Sequence, residues 1–525
     1  MVAPGARYLP LLILATLTAV VAVMLFTSGP RPAAPTRTNE VAAFTSGPMP
    51  SGPPASTPVE ASPPGASTPD PAATPDSAAT PGAPAGTPAP TPAATAGTTL
   101  PPSTGGLVPG SVDRTSLDLV ATYDVNAAIT VDTGVLDVST TLVVRNAGDQ
   151  SIDRLELNTI AARLGSLRIT AASVDGIPAK VRIRDQTLVV PLGGVLQPGA
   201  SATVLVAYRA TLTNSLTDSN WMFTRSGGTV ALYRWIPWVS QALPFDRPNK
   251  GDPFVLVSSP EVSVEILADR RVELAAPAVP AADITEFQAG NGTAWAFTVR
   301  DVRDVSILLA PDFAVAREKV GAVEVRAYSR GGSFEAQRLL GLATQALRRQ
   351  SEQLGVAYPW AALVAVETLG GEALESPGLI WIPRGLDTLN RTYLVNHEVA
   401  HQWFYGLVGN DQRNQPFVDE AAADMLTRTV LVSFRASRCT RDALDGTLAD
   451  YVGRCYYETI YVQGGLFLDD IRERMGTKRF WATIRAYLEE HRFGLATTRD
   501  LLDALQSGSE VDLKPLFRAR FPSLY

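Results

Sequence analysis

The sequence predicts a multidomain α+β protein in which an all-β domain precedes an α-rich domain, both behind a membrane helix and a disordered Pro-rich stalk. Three observations predict this organisation. An uncharged apolar run lies near the N-terminus, a long Pro-, Ala- and Thr-rich stretch follows it, and the hydrophobic pattern then changes from short-range alternation to helical periodicity. The predicted divisions are residues 1–7, 8–26, 27–112, 113–316 and 317–525.

The apolar run follows the short N-terminal tail, residues 1–7. Residues 8–26 carry no charge and are long enough to cross the hydrocarbon core of a bilayer, about 30 Å, as a helix. We interpret this run as a retained signal anchor, because no clear small-x-small cleavage site follows it, and a cleaved signal peptide is the alternative. The anchor predicts a membrane-attached protein whose folded domains are extracytoplasmic.

The stretch from residue 27 to residue 112 consists mostly of Pro, Ala, Thr, Ser and Gly. A segment of this composition cannot bury a hydrophobic core, so we expect it to be disordered. Because its many prolines favour an extended backbone, the stretch suits a stalk that separates the folded domains from the membrane.

The two folded domains differ in their hydrophobic patterns. Within 113–316, apolar and polar residues alternate along short runs that are separated by turn residues, as expected of an all-β domain. These runs are VLDVSTTLVVRN, LRITAASV, KVRIRDQTLVVPL, ATVLVAYRATL, VSVEILA, WAFTVR and VSILLA. Within 317–525, two strand-like runs, AVEVRAYS and ALVAVETL, flank the amphipathic helix SFEAQRLLGLATQALRRQSEQLG. Further helices are predicted over 392–404, 417–434, 461–473, 478–491 and 498–506.

Charge and cysteine content limit the possible classes of protein. The formal net charge is -7 and no basic patch is evident, so the sequence predicts no nucleic-acid partner. The two cysteines, Cys439 and Cys455, are close in sequence, which favours one local disulfide in an oxidising compartment. Two buried thiols are the alternative.

A metal-binding pattern lies in the segment YLVNHEVAHQWFYG. It contains two of the three histidines of the chain, His397 and His401, whose i, i+4 spacing puts both imidazoles on one face of a helix. A catalytic zinc site needs three protein ligands and an open position for water. Glu420 lies 19 residues after His401, in the next predicted helix. We therefore predict that His397, His401 and Glu420 bind one Zn²⁺.

Two acidic residues near these ligands are candidates for supporting roles. Glu398 directly follows His397 and suits the general base that takes a proton from the attacking water and passes it to the leaving amine. Asp424 lies one helical turn after Glu420 and could accept a hydrogen bond from a ligand imidazole, or it could be a solvated charge on the helix face.

With this spacing of motifs, the sequence resembles the gluzincin zinc aminopeptidases, a family typified by membrane alanyl aminopeptidase. The resemblance covers about residues 113–525. It includes LESP followed by GLIWIP, VDEA around Glu420, and the block IYVQGGLFLDDIRERMGTKRFWATIRAYL. It implies a saddle-like β-sheet domain, a thermolysin-like catalytic domain, and removal of N-terminal residues from peptides with a free N-terminus.

The resemblance also implies roles for residues outside the metal-binding pattern. Tyr461 matches the tyrosine whose hydroxyl stabilises the oxyanion of the tetrahedral intermediate, and Tyr456 matches a second tyrosine that lines the site. Gln463 stands where the family usually has Lys.

The family strand Gly-x-Met-Glu-Asn, which pairs with the substrate backbone, corresponds here to Glu372-Ala373-Leu374-Glu375-Ser376. The resemblance implies that this strand, with Ala373, binds substrate and that Glu375 binds its α-amine. Glu372, Leu374 and Ser376 depart from the family pattern, and these departures bear on substrate specificity rather than on the metal.

The resulting hypothesis is a zinc-dependent aminopeptidase at the outer face of a membrane. One alternative is a zinc hydrolase of the same fold without exopeptidase activity, such as an endopeptidase or an epoxide hydrolase. A second alternative is a non-catalytic stalked surface protein with a structural zinc.

Overall fold

The computed structural model describes residues 105–241, 257–279, 284–430, 439, 442–451 and 455–525. The predicted N-terminal tail, the predicted membrane helix and the predicted stalk up to residue 104 lie outside these residues. No helix in the described part of the chain is both long enough and apolar enough to span a bilayer.

The last residues assigned to the stalk belong to the fold. Val108 exchanges two backbone hydrogen bonds with Val195, at 3.0 and 2.8 Å. The folded region therefore begins before residue 113, because a sequence rich in Gly and Pro can still supply backbone donors and acceptors to a strand edge.

The first folded domain is built from strands whose residues are alternately buried and exposed, as in β2, where the buried positions are every second residue. The predicted all-β character is confirmed. The strands are β1 (Leu119–Thr130), β2 (Val135–Asn146), β3 (Ile152–Asn158), β4 (Arg168–Val174), β5 (Ile177–Pro178), β6 (Arg182–Arg184), β7 (Thr187–Leu196), β8 (Ser201–Thr211), β9 (Phe223–Ser226), β10 (Thr229–Leu232), β11 (Trp238–Val239), β12 (Val262–Ala268), β13 (Glu273–Ala275), β14 (Ile284–Ala289), β15 (Gly292–Val299) and β16 (Ile307–Ala310).

These strands form three sheets in the described residues. The largest has eight strands in the order β14-β15-β12-β1-β2-β8-β4-β5, and two four-stranded sheets have the orders β13-β16-β10-β9 and β11-β3-β7-β6. Within the large sheet β1 pairs with β12 in parallel and with β2 in antiparallel orientation.

The second domain begins with a five-stranded sheet of order β17-β18-β19-β21-β20. Its strands are β17 (Ala314–Val320), β18 (Val323–Ser329), β19 (Ala362–Thr368), β20 (Leu374–Ser376) and β21 (Leu379–Pro383). The predicted division between residues 316 and 317 falls inside β17, which pairs with β18 along its whole length. The short strand β20 lies at the edge of this sheet and is antiparallel to β21.

Helices make up most of the remaining chain. They are α2 (Ser333–Leu354), α3 (Thr388–Ala400), α4 (Phe417–Arg428), α5 (Gly464–Met475), α6 (Thr477–Glu490), α7 (Thr498–Ser507) and α8 (Lys514–Arg520), after a single turn α1 (Ala161–Leu164) in the first domain. A π-helical segment, Tyr457–Gln463, directly precedes α5. The α-rich character of this domain is confirmed, and α2 has the predicted extent within one residue.

The two domains share a continuous apolar contact. The indole of Trp381, on β21, is fully buried and packs edge-on against Trp221 and Tyr233 of the β domain, with ring centroids 6.3 and 5.6 Å apart. Residues of β19, β20 and β21 belong to the same hydrophobic core as the β domain. Strand β20, at the edge of the sheet of the second domain, therefore also packs against the β domain.

Candidate metal centre

Helix α3 carries the two histidines of the metal-binding pattern. It begins four residues earlier than predicted, because the carboxylate of its N-cap Asp387 accepts a hydrogen bond from the backbone N–H of Asn390 at 2.9 Å. The helix ends before His401, which is its C-cap residue. His397 and His401 are both buried, and their rings meet edge to face with centroids 4.7 Å apart.

Glu420, in the first turn of α4, meets both imidazoles. Its Oε2 lies 3.1 Å from His397 Nε2 and 3.4 Å from His401 Nε2, and the two Nε2 atoms are 3.1 Å apart. A tetrahedral zinc with N and O ligands at its usual bond lengths holds neighbouring ligand atoms about 3.3 Å apart. The three donor atoms therefore fit the face of a zinc coordination tetrahedron.

The orientation of both rings suits metal binding through Nε2. His401 Nδ1 lies 3.0 Å from the carbonyl oxygen of Phe404, so an N–H at Nδ1 leaves the Nε2 lone pair for a metal. The ring of His397 is sandwiched between Tyr393 and Tyr461, with centroid distances of 5.7 and 5.3 Å and nearly parallel planes. Its Nδ1 has no hydrogen-bond partner among the described residues.

The electrostatics of the site also favour a cation. Burial opposes the charged form of His401, but the carboxylates of Glu375, Glu420 and Glu398 outweigh it and raise the pKa of His401 well above its ordinary value. Burial likewise opposes the charge of Glu420, yet hydrogen bonds and charge interactions with His397 and His401 lower its pKa to about 2. Several buried carboxylates thus surround two imidazoles, an excess of negative charge that a divalent cation would balance.

Glu398, the candidate base, lies beside these donors and is almost fully buried. Burial first, and the charges of Glu375 and Glu420 after it, raise the pKa of Glu398 well above its ordinary value, although His401 acts in the opposite direction. Within the described residues its Oε2 has no hydrogen-bond partner. This carboxylate is therefore able to receive a proton inside the site.

The tyrosines implied by the family resemblance come to the same place. Tyr461 lies in the π-helical segment and donates a hydrogen bond from its hydroxyl to Glu420 Oε1 at 2.6 Å. Tyr456 is buried, and its ring meets that of Tyr461 edge to face at 5.5 Å. Single π-helical turns of this kind occur frequently at functional sites.

Glu375, the candidate amine-binding residue, lies on β20 beside the same group of residues. One of its carboxylate oxygens lies within 4.8 Å of ligand atoms of both Glu398 and His401. Its Oε1 accepts a hydrogen bond from Gln412 Nε2 at 2.8 Å. Ala373 directly precedes β20 and is half-buried. The metal-site residues and the candidate amine-binding strand therefore adjoin one another.

Several curated proteins that are similar to this chain are aminopeptidases. An alanine/arginine aminopeptidase of Saccharomyces cerevisiae is 23% identical in an alignment of 416 residues that covers 70% of this chain and 47% of the relative. An aminopeptidase N of Lactobacillus delbrueckii subsp. lactis is 25% identical in an alignment of 189 residues that covers 30% of this chain and 22% of the relative. The chain is similar to members of the gluzincin zinc aminopeptidase family. It matches less than half the length of either relative.

The fold of this chain also recurs in solved structures. An M1 zinc metallopeptidase of Deinococcus radiodurans, solved as a mutant bound to a Tyr-Ser-Ala substrate, superposes with a TM-score of 0.60 at 18% identity. The match covers 77% of this chain and 94% of that one. The two proteins therefore share a fold over the two domains. No protein-family model matches the chain.

Two other candidates from the sequence can be located in this fold. Asp424 is fully buried rather than solvated; its carboxylate accepts hydrogen bonds from Tyr393, at 2.7 Å, and from Arg428, and none of its described hydrogen bonds comes from an imidazole. Cys439 and Cys455 form a disulfide, with Cα atoms 5.7 Å apart. Cys455 directly precedes Tyr456, so this bond lies next to the tyrosine segment.

Sequence reasoning missed three residues that contact the site. Tyr393 lies four residues before His397, a helical spacing that could have indicated a ring stacked on the ligand. Gln412 contacts Glu375 from the loop between the two ligand helices. Arg234 reaches Gln412 from the β domain, at 3.4 Å between Arg234 Nη2 and Gln412 Oε1, and no local pattern marks it.

Proposed function

We propose that this chain is a zinc-dependent aminopeptidase that removes N-terminal residues from peptides at the outer face of a membrane. One observation carries the proposal: the donor atoms of His397, His401 and Glu420 converge beside Glu398, and Glu375 lies at the edge of the same site. Related aminopeptidases and the shared two-domain fold support the same conclusion.

A zinc ion bound by these residues would lower the pKa of the attacking water towards about 7 and polarise the scissile carbonyl. Glu398 takes the proton from that water and then donates it to the leaving amine. Its burial and its raised pKa suit both transfers, because a carboxylate that binds a proton more readily than usual can take it from the water and then return it to the amine.

Glu375 accounts for exopeptidase specificity in this proposal. Its carboxylate binds the α-ammonium group of the substrate close to Glu398, so that the first peptide bond reaches the reacting position. Among the described strands, β20 has only β21 as a neighbour in its sheet. Its other edge can therefore pair with the backbone of an extended peptide.

Tyr461 donates a hydrogen bond from its hydroxyl to the oxyanion that forms when water attacks the carbonyl. In the structure this hydroxyl binds Glu420 Oε1, and the ring is fixed against His397. A donor held in place before the reaction needs little reorganisation when negative charge develops.

The membrane location of this activity rests on the N-terminal sequence. The uncharged segment 8–26 suits a signal anchor, and the Pro-rich stretch after it suits a spacer. The disulfide between Cys439 and Cys455 supports an oxidising, extracytoplasmic compartment.

The deciding experiment compares the full chain with Glu398→Gln on a panel of aminoacyl reporter substrates. We expect Glu398→Gln to retain its zinc and to lose activity about 100-fold or more, because its amide cannot accept the proton. Glu490→Gln, at an exposed position at the end of α6, is the matched control. Zinc-replete Glu398→Gln with the wild-type rate would refute the mechanism.

The same panel separates the alternatives. An aminopeptidase cleaves reporters with a free amine and spares their N-acetylated counterparts, and a chelator abolishes the activity. Cleavage of blocked peptides would identify an endopeptidase instead, while tight zinc binding without cleavage of any peptide would identify a structural metal.

A further inference from the structure

A buried network of hydrogen bonds runs from the β domain into the candidate amine-binding strand. Arg234, which follows β10, is only 4% exposed, and its Nη2 donates to the hydroxyl of Tyr405 at 2.7 Å. The Tyr405 hydroxyl in turn donates to the carboxylate of Asp304, which also accepts from the hydroxyl of Ser376. Ser376 is the neighbour of Glu375 on β20, so this chain of contacts ends beside the amine-binding residue.

Two residues of this network have unusual backbone conformations. Arg234 has a φ of 42° and Tyr405 has a φ of 113°, in the region that residues with side chains rarely adopt. Tyr405 lies four residues after His401, where the chain leaves α3. Such strain persists only where the surrounding structure enforces it, and it is concentrated at functional sites. Here the two strained residues meet in a single hydrogen bond across the domain boundary.

Gln412 connects Arg234 with the carboxylate of Glu375. Its Oε1 accepts from Arg234 Nη2 at 3.4 Å, while its Nε2 donates to Glu375 Oε1 at 2.8 Å and to Asp419 Oδ2 at 2.9 Å. A cation on one side and two carboxylates on the other fix the orientation of the amide, because only Nε2 can donate to both acids. The side chain of Gln412 is buried and holds Glu375 in one position.

Aromatic rings and a carboxylate around Arg234 favour its positive charge. Its guanidinium lies over the rings of Tyr233 and Tyr405, 5.2 Å from each centroid, and 4.0 Å from the carboxylate of Asp304. The hydroxyl of Tyr233 also donates to the backbone oxygen of Glu375 at 3.3 Å. Buried polar groups need such hydrogen-bond partners, and these contacts hold Glu375 in place beside the metal-site residues.

We propose that Arg234 and Gln412 are positioning residues that hold Glu375 for the α-ammonium group of the substrate. The β domain then takes part in selecting peptides with an unblocked N-terminus. This inference rests on the proposed aminopeptidase function, and it goes further by assigning selectivity for the free amine to residues outside the metal centre.

The test uses two inhibitors of the zinc-loaded full chain: an amino-acid hydroxamate with a free amine and its N-acetylated counterpart. Both can bind the metal through the hydroxamate, and only the first can bind Glu375 through an ammonium group. The ratio of their inhibition constants therefore reports the contribution of the amine. In Arg234→Met and in Gln412→Leu we expect this ratio to fall about 10-fold, because the partners of Glu375 are lost.

Arg326→Met is the matched control. Arg326, on β18, is also buried, and it donates to the hydroxyl of Tyr328 at 2.8 Å and to the backbone oxygen of Ala276 at 3.2 Å, outside this network. Its loss should lower the stability of the fold and leave the inhibitor ratio unchanged. Arg234→Lys keeps the charge and should restore part of the ratio.

Two results would overturn the inference. In one, the ratio in Arg234→Met and Gln412→Leu equals that of the wild type. In the other, both inhibitors weaken equally, which would show that the network only supports the fold or the metal. If the wild-type chain itself showed no preference for the free amine, the proposed aminopeptidase function would fail and this inference with it.

Discussion

The hydroxyl of Tyr461 donates a hydrogen bond to Glu420 Oε1 over 2.6 Å, while the ring of Tyr461 stacks on His397 at a centroid distance of 5.3 Å. One side chain thus contacts two of the three candidate metal ligands. It comes from a π-helical segment, whose wider turn changes the direction of its side chains relative to an α-helix. Tyr461 is therefore fixed both in the orientation of its ring and in the position of its oxygen.

Replacing Tyr461 by Phe should separate these two contacts. The ring remains to stack on His397, but the donor is lost, so we expect kcat to fall about 100- to 1,000-fold with zinc content unchanged. Steady-state kinetics and metal analysis of the purified protein measure both quantities. Tyr457→Phe, in the same π-helical segment, serves as the control and should keep most of the activity. Full activity in Tyr461→Phe would exclude the hydroxyl from the reaction.

A second prediction concerns the contribution of Tyr393 to zinc affinity. It stacks on the other face of His397, and Asp424 holds its hydroxyl at 2.7 Å. His397 Nδ1 lacks a hydrogen-bond partner in the described residues, so the two stacked rings are the contacts that orient it. Tyr393→Leu should therefore weaken zinc binding about 10- to 100-fold, as loss of other groups that orient metal ligands does.

Competition with a chromophoric chelator measures this affinity directly. Tyr393→Phe keeps the ring and should retain most of the affinity. Leu389→Ala, at an exposed position on the same helix, should leave it unchanged. Zinc binding in Tyr393→Leu as tight as in the wild type would show that stacking does not orient His397.

The local parts of the fold and site could be predicted from the sequence. Alternating burial in β2 and the helical period of α2 are properties of neighbouring residues, and the prediction of both elements is confirmed. The i, i+4 spacing places His397 and His401 on one face wherever that segment is helical. The position of Glu420 came from its spacing and from the family resemblance, since the fold of an intervening loop has no local signature.

The features of the fold and site that were not predicted depend on contacts between residues distant in sequence or on a single helix-capping residue. Asp387 starts α3 four residues before the predicted helix, because one carboxylate satisfies a free backbone N–H. The hydrogen bond between Arg234 and Tyr405 joins residues 171 positions apart, and Gln412 contacts Glu375 over 37 positions. Pairs at such separations leave no periodic signal in a single sequence, so neither the network nor the strain at Tyr405 was foreseeable.

The disulfide provides a third prediction. Cys455 directly precedes Tyr456 and is joined to Cys439, 16 residues earlier. Reduction should free the start of the segment that carries Tyr461 and so lower kcat, while His397, His401 and Glu420 retain the zinc. The unfolding free energy should fall by about 3 kcal/mol in the chain-entropy model for a loop of this length.

A phosphine reductant is preferable to a thiol in this experiment, because thiolates bind zinc. Activity, zinc content and thermal unfolding are compared before and after reduction. The double variant Cys439→Ser/Cys455→Ser should match the reduced wild type and should not respond to the reductant. Unchanged kcat after complete reduction would show that the tyrosine segment does not depend on the disulfide.

Acid should loosen the N-terminal end of the fold through Asp153. This carboxylate accepts backbone N–H groups of Val112, Asp113 and Arg114 at 2.8, 2.8 and 3.0 Å, and the hydroxyl of Ser111. Desolvation works in the opposite direction, but these donors lower the pKa of Asp153 to about 2. Because the pKa of Asp153 is lower in the folded state than in the unfolded state, its full contribution to stability is present above its unfolded pKa of about 4. This contribution is lost as the pH falls towards 2.

Hydrogen exchange of residues 105–114, corrected for the intrinsic effect of pH on exchange, measures this contribution. In the wild type, protection should decrease between about pH 4 and pH 2, as Asp153 becomes protonated. Asp153→Asn should have weaker protection at pH 5 and little further loss on acidification. Asp175→Asn is the control, because Asp175 also accepts a backbone N–H, that of Thr203, but lies outside this segment. Equal acid sensitivity in Asp153→Asn and the wild type would assign the effect to another carboxylate, since an amide cannot titrate in this range.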